Sequence, residues 1–444
     1  MGAMNIDSSL ASAEHLIAAP ARLVVRTTPL DLPSADADPA ALLDFLPADS
    51  SLSWVRRGDG LVAWGEVARI ETTGDAQFSR AESAWGHLLQ TMTVHDDVRA
   101  PGTGPVAFGS FSFDPSSGAG GVLVVPAVVV GRRGSTAWVT TVTPDTAETG
   151  PAQPTLAELL SVGAEPVRGP GRVTYSAGSR TAEEWLDIVT QAVARIRSGA
   201  LDKVVLAREV VARTAAPVDP RWLLQRLAGS YPGCWTFSVD GMVGATPELL
   251  VRSEKGLAIS RVLAGTVRRT GDDDADLVHA AHLARSSKDL EEHEYAVSSV
   301  ARELEPFCTS MNVPEAPFVL HLPNVMHLAT DVTGVLDRPG VSSLTLAAAL
   351  HPSAAVCGTP TLVARDLIRE IEGLERARYA GPVGWLGADG DGEWGIALRS
   401  AELSPEDPCE LRLFAGCGIV AASDPEAELA ETEAKLEPMR SALG

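Results

Sequence analysis

Two residues have types and settings suited to moving protons. Lys203 lies in Asp202-Lys203-Val204-Val205-Leu206-Ala207-Arg208-Glu209, a short run whose β-branched content predicts a strand. On a strand Lys203, Val205 and Ala207 share one face, so the ammonium sits among apolar neighbours. Burial there would depress its pKa and let it act as a general base. Glu248 follows Pro247 at a turn in Gly244-Ala245-Thr246-Pro247-Glu248-Leu249-Leu250. In a partly apolar pocket its carboxyl would have a raised pKa and could donate a proton. Taken alone, each has a plainer reading: a solvated strand lysine and an ordinary turn glutamate.

Carboxylates recur on two stretches of helical character. In Ser286-Ser287-Lys288-Asp289-Leu290-Glu291-Glu292-His293-Glu294, Lys288 and Glu292 are four apart and share a face, while Glu291 and Glu294 turn elsewhere. Near the C-terminus Glu428, Glu431 and Lys435 line one face. Hard cations such as Mg²⁺ take one or two carboxylates plus waters and substrate oxygens, and such faces can supply them. The plainer alternative is a solvated acidic face. No second histidine stands at ligand spacing from His293, so the pattern argues against a zinc site. Gly265-Thr266 and Gly416-Cys417-Gly418 are places where backbone N–H groups could approach an oxyanion. The sequence contains no GxSxG, HExxH, Walker loop, or GxGxxG after a strand, which leaves the common cofactor chemistries unsupported.

The elements that must position these residues can be read from periodicity. From 21 to about 150 the chain shows short β-like runs, among them 61–70 and 121–130, and 148–172 is a proline- and glycine-rich connection. Trp185, Ile188, Val189, Ala192, Val193 and Ile196 predict an amphipathic helix over 181–198 with Gly199 as its stop. Helices are also expected over 274–305, 342–350, 361–376 and 425–442, and a strand over 411–420. The 444 residues carry 45% hydrophobic and 21% charged residues, with no apolar run long enough to span a membrane. Five cysteines without a CxxC pair argue against a disulfide framework. A net charge of −22 disfavours nucleic acid and anionic membrane surfaces, and an anionic substrate would need its own cation or metal. The N-terminus lacks the basic start and apolar core of a secretory signal, so a cytoplasmic location is expected.

Taken in order, these stretches resemble the chorismate-binding domain shared by isochorismate, salicylate, anthranilate and aminodeoxychorismate synthases. The likeness covers about 175–443 and rests on Asp202 to Arg208, Ala245-Thr246-Pro247-Glu248, Leu263-Ala264-Gly265-Thr266, Ser287-Lys288-Asp289 with Glu292-His293, Leu350-His351-Pro352, Tyr379-Ala380-Gly381, Leu398-Arg399-Ser400 and Ala415 to Val420. It implies an α/β (α+β) fold: a single large unit of two stacked, mainly antiparallel sheets flanked by helices, with the active site in the cleft. Residues 1–20 are expected to be disordered and 21–444 to form one composite domain, with a sheet-rich part over 21–172 and a catalytic part over 173–444. The resemblance further implies Lys203 as base, Glu248 as acid, and Mg²⁺ held by Glu292 and Glu431 with Glu428 in support. Arg399 and Tyr379 would take the enolpyruvyl carboxylate of chorismate, and Thr266, Gly265, Gly416 and Lys435 would complete the anion pocket.

Within the family, Lys203 points to water as nucleophile, Ala355 resembles the isochorismate synthases, and Ala264 replaces a lysine typical of aminodeoxychorismate synthase. These residues imply conversion of chorismate to isochorismate, and the resemblance to the family's stand-alone members implies a monomer. Trp54-Val55-Arg56-Arg57 and Ala107-Phe108-Gly109-Ser110-Phe111 look like the menaquinone-pathway type rather than the siderophore type. Salicylate synthase is the alternative activity, and a non-catalytic chorismate-binding protein is the alternative class.

Overall fold

The computed structural model describes residues 15–17, 22–32, 38–145, 153–337 and 340–444; side chains of 15–17, Lys288 and Glu292 lie outside the described set. Two large sheets carry the architecture, 11-stranded and 13-stranded among the described residues. Every strand pairing there is antiparallel except that of Leu23–Pro29 with Met92–Asp96. One core cluster joins Trp54, Trp138 and Phe237 of the larger sheet to Phe108 and Trp385 of the smaller, so the sheets stack face to face over aromatic side chains.

Both sheets draw strands from before and after the proline-rich connection. Leu52–Arg56 pairs with Trp235–Val239 in the larger sheet, and Val106–Phe111 pairs with Pro382–Gly387 in the smaller. Of residues 1–20, only His15–Ile17 is described, as a strand paired with Ala68–Thr72; the expectation of disorder for the others lies outside the described residues.

The helix predicted over 181–198 is Ala182–Arg197, opened by a Thr181/Glu184 capping box and burying the six apolar residues of its stripe. The long helix expected over 274–305 is instead two helices, Asp273–Leu283 and Ser287–Leu304. The break has a local cause: the Ser286 hydroxyl accepts from the Asp289 N–H at 3.3 Å and starts the second helix. Likewise 121–130 divides at Pro126 into Gly121–Val125 and Val128–Arg133, and 361–376 stops as a helix at Ile371. All five cysteines are free thiols.

Candidate active site

Two neighbouring segments cross together from one sheet to the other, and each carries a charged side chain to the cleft. Thr246-Pro247-Glu248 links Met242–Thr246 of the larger sheet to Leu249–Glu254 of the smaller. Ala397-Leu398-Arg399 makes the return link, from Gly392–Ile396 to Ser400–Leu403. The crossings brace each other, with Ala245 N–H donating to the Arg399 carbonyl and Ile396 N–H to the Glu248 carbonyl, both at 3.2 Å. Arg399 takes a left-handed backbone conformation (φ 50°). That state is rare outside glycine and costs about 1–3 kcal/mol, so the packing around the crossing must hold it.

These residues open on a cavity of about 120 Å³ between the sheets. Its lining brings together Lys203, Glu248, Gly265, Thr266, Ala355, Tyr379, Arg399, Gly416, Glu431 and Lys435. Val205 and Ala207 line it with Lys203, as their shared strand face requires. Burial pushes the Glu248 carboxyl up to about 7, against the opposing pull of Lys203, Lys435 and Arg399. Burial also lowers the pKa of Arg399, whose guanidinium has no ion-pair partner among the described residues. Tyr379 is buried, its ring stacked on Phe414 with centroids 4.9 Å apart.

The smaller sheet supplies the wall around Gly265. The register between Leu257–Arg268 and Val325–Leu336 shifts at Ala264/Thr266, and Gly265 sits in that bulge at φ 71°, where a Cβ would meet Asp289 Cβ at 3.2 Å. The bulge turns Thr266 toward His327, a cavity residue that motif reading missed. His327 Nδ1 lies 3.1 Å from Thr266 Oγ1 and 3.3 Å from the Gly265 carbonyl, while Nε2 is buried without a hydrogen-bond partner among the described residues. Since a carbonyl only accepts, that contact assigns the proton to Nδ1. Burial, with Arg399 and Lys435 nearby, lowers the imidazole pKa to about 3, so the ring is neutral and offers Nε2 as an acceptor. Its only sequence signal was a histidine inside the otherwise apolar run 325–329.

The last helix, Pro425–Leu443, brings acids and a lysine to the same cavity. Lys435 Nζ lies 2.6 Å from Glu431 Oε1 and donates to the Gly416 carbonyl at 2.8 Å. Burial raises the Glu431 pKa, but Lys435, Arg399 and Lys203 outweigh it and hold the carboxyl below its usual range. Glu428, one turn earlier, does not line the cavity; its Oε1 accepts from Ser423 Oγ at 2.7 Å. Its pKa is raised by burial and by the negative charge of Glu431. A cation between these crowded carboxylates would relieve that repulsion, so the pair fits part of a hard-cation site. Glu292 lies in Ser287–Leu304 with its side chain outside the described residues, and among the described residues no group of three ligating side chains is assembled.

Comparisons with known proteins agree with this arrangement. The family described as chorismate binding enzyme matches residues 30–444. The salicylate biosynthesis isochorismate synthase of Pseudomonas aeruginosa is 34% identical over 88% of this chain and 84% of its own length. The isochorismate synthase DhbC of Bacillus subtilis is 41% identical over 59% of this chain and 68% of its own. Among solved structures, MenF, the menaquinone-specific isochorismate synthase of Escherichia coli, superposes with a TM-score of 0.76 at 26% identity, covering 96% of both chains. With a family match over nearly its whole length and a relative above 30% identity along most of it, the chain belongs to the chorismate-binding enzymes.

Proposed function

We propose that the chain is an isochorismate synthase, an isomerase that converts chorismate to isochorismate, with Lys203 as general base and Glu248 as general acid. The observation that carries this reading is a single cavity holding a lysine, a buried carboxyl with a pKa of about 7, and an arginine that makes no ion pair among the described residues. The named relatives are isochorismate synthases, which supports the same substrate and product.

In this mechanism Lys203 takes a proton from water as its oxygen bonds to C2 of the ring. The ring double bonds shift, the C4–O bond breaks, and Glu248 protonates the departing hydroxyl so that it leaves as water. One water enters and one leaves; the Lys203 ammonium and Glu248 carboxylate then exchange protons with solvent to reset. A carboxyl near 7 remains substantially protonated at neutral pH, as an acid requires. Arg399 and Tyr379 would take the enolpyruvyl carboxylate. Thr266, Lys435 and the backbone at Gly265 and Gly416 would bound the anion pocket, with neutral His327 accepting from a substrate hydroxyl. Ala355 leaves space for water as nucleophile.

Mg²⁺ held by Glu431 and Glu292, with Glu428 in support, would neutralise the substrate's ring carboxylate in a chain of net charge −22. We read the enzyme as a cytoplasmic monomer that serves menaquinone biosynthesis, on the likeness carried by Trp54 to Arg57 and Ala107 to Phe111. Supply of isochorismate to salicylate is the second pathway reading, favoured by the 34% identity to the Pseudomonas protein along most of the chain. Incubation of purified protein with chorismate, with and without Mg²⁺, followed by chromatography and mass analysis, tests the activity. Isochorismate formed only with Mg²⁺ is the expected result; salicylate plus pyruvate would replace the proposed product, and no conversion would leave a binding protein.

A further inference from the structure

The strand that carries Lys203 has an uncovered edge beside the cavity. Along one side, Lys203–Thr214 pairs with Glu410–Ile419 over ten residues, Val204 to Arg213. Along the other, Val173–Ala177 covers Val210 to Thr214, and the short strand Gly358–Thr359 covers only Lys203 and Val204. No strand lies against Val205 to Glu209 on that side among the described residues, yet the edge is dry and an unpaired buried backbone group there would cost about 1–3 kcal/mol.

Side chains take the place of the missing strand. Val205 N–H donates to the Cys357 carbonyl at 2.9 Å. The Val205 carbonyl accepts from Arg376 Nη2 at 2.8 Å, Ala207 N–H donates to Glu372 Oε2 at 2.7 Å, and the Ala207 carbonyl accepts from Trp185 Nε1 at 3.1 Å. Glu372 and Arg376 also bind each other twice, Nε to Oε1 at 2.7 Å and Nη2 to Oε2 at 2.6 Å, with both side chains buried. The same guanidinium donates through Nη1 to the Val356 carbonyl at 3.1 Å, and the Arg376 carbonyl accepts from Tyr379 N–H at 2.9 Å. One ion pair therefore ties together the Lys203 strand, the loop carrying Ala355, and the segment carrying Tyr379.

We infer that Glu372 and Arg376 are positioning residues for the reaction: they act as a surrogate strand that holds the Lys203 strand in register with the Ala355 loop and Tyr379. This inference rests on the assignment of Lys203 as base. It explains why a costly buried ion pair stands where a backbone strand would satisfy the edge alone. A strand could not serve this edge while also reaching Val356; the Glu372 carboxylate accepts from Ala207 while the Arg376 fork donates to both the Val205 and Val356 carbonyls.

The test replaces the pair by Glu372→Met with Arg376→Met, which avoids an unpaired buried charge at similar volume and leaves the Ala207 N–H and the Val205 carbonyl without these partners. Hydrogen exchange in the peptide spanning 203–209 should accelerate by about tenfold, matching one lost hydrogen bond. Turnover of chorismate should fall by about tenfold to a hundredfold, the scale of ångström-level misplacement, with KM changed less than about threefold. Glu372→Gln keeps one acceptor oxygen, which at the Oε2 position serves both Ala207 N–H and Arg376 Nη2, and should lose less of both; it also serves if the double variant does not fold. Parental kcat or parental exchange in the double variant, or in Glu372→Gln should that variant alone fold, overturns the inference. Absence of chorismate turnover in the parent would strike the functional reading instead, and the exchange comparison would still decide whether the pair holds the strand.

Discussion

The base and the acid of the cavity stand on two different kinds of backbone. Lys203 opens a strand whose next ten residues pair in one regular ladder, which fixes the register while the faces alternate by simple pleating. Glu248 lies where the chain leaves one sheet for the other, beside an arginine held at φ 50°. A ladder positions a side chain through repetition, so its face can be read from spacing. A crossing positions it through tertiary contacts and removes it from water, which raises the Glu248 pKa to about 7.

Breaking the ladder side should have the largest effect. Lys203→Ala should lower turnover by about 10³-fold or more, within the range of positioned proton transfer, while chorismate binding by calorimetry persists. Unchanged turnover would remove the base. On the crossing side, Glu248→Gln should lower kcat by about 10²-fold or more. Wild-type turnover should fall as pH rises through about 7, where Glu248 loses the proton it must donate.

The same pKa sharpens the contrast in stability. Because folding raises it, the folded state binds the Glu248 proton more tightly than the unfolded state, and that stability is present below the unfolded value near 4.5. It is lost as pH rises through about 7. Glu248→Gln should therefore be more stable than wild type at pH 8 by up to about 3 kcal/mol, with the difference vanishing near pH 4. Denaturant melts at the two pH values check this, and a pH-independent difference would contradict the buried carboxyl.

Smaller effects are expected at the rim and the bulge. Glu431→Gln should raise the Mg²⁺ concentration needed for half-maximal turnover by about tenfold or more, as loss of a charged ligand does; a normal titration would remove Glu431 from the metal site. Gly265→Ala should cost about 1–2 kcal/mol, since alanine is strained at φ 71° and its Cβ would press on Asp289. A thermal melt indistinguishable from wild type would show that the bulge tolerates a side chain.

What could be read from the sequence follows the same division. Lys203 with Val205 and Ala207, and Glu431 with Lys435, were legible because strand and helix periodicities place them on common faces. The stacked antiparallel sheets came from the family resemblance, since no local pattern states which strands pair across hundreds of residues. The division at Ser286 was written locally, in a serine three residues before Asp289, but charge periodicity on both sides obscured it. His327 was not legible because its contact with Thr266 depends on a bulge in the partner strand. Glu372 and Arg376 read as one more helical turn, whereas their role depends on a gap between strands that only the sheet order creates.

The central claim is that water, activated beside Lys203, supplies the new hydroxyl. Turnover of chorismate in ¹⁸O-labelled water, with mass analysis of the product before it re-equilibrates, tests this directly. The account predicts one ¹⁸O atom per isochorismate, located at C2. An unlabelled product, its oxygen carried over from C4, would contradict it.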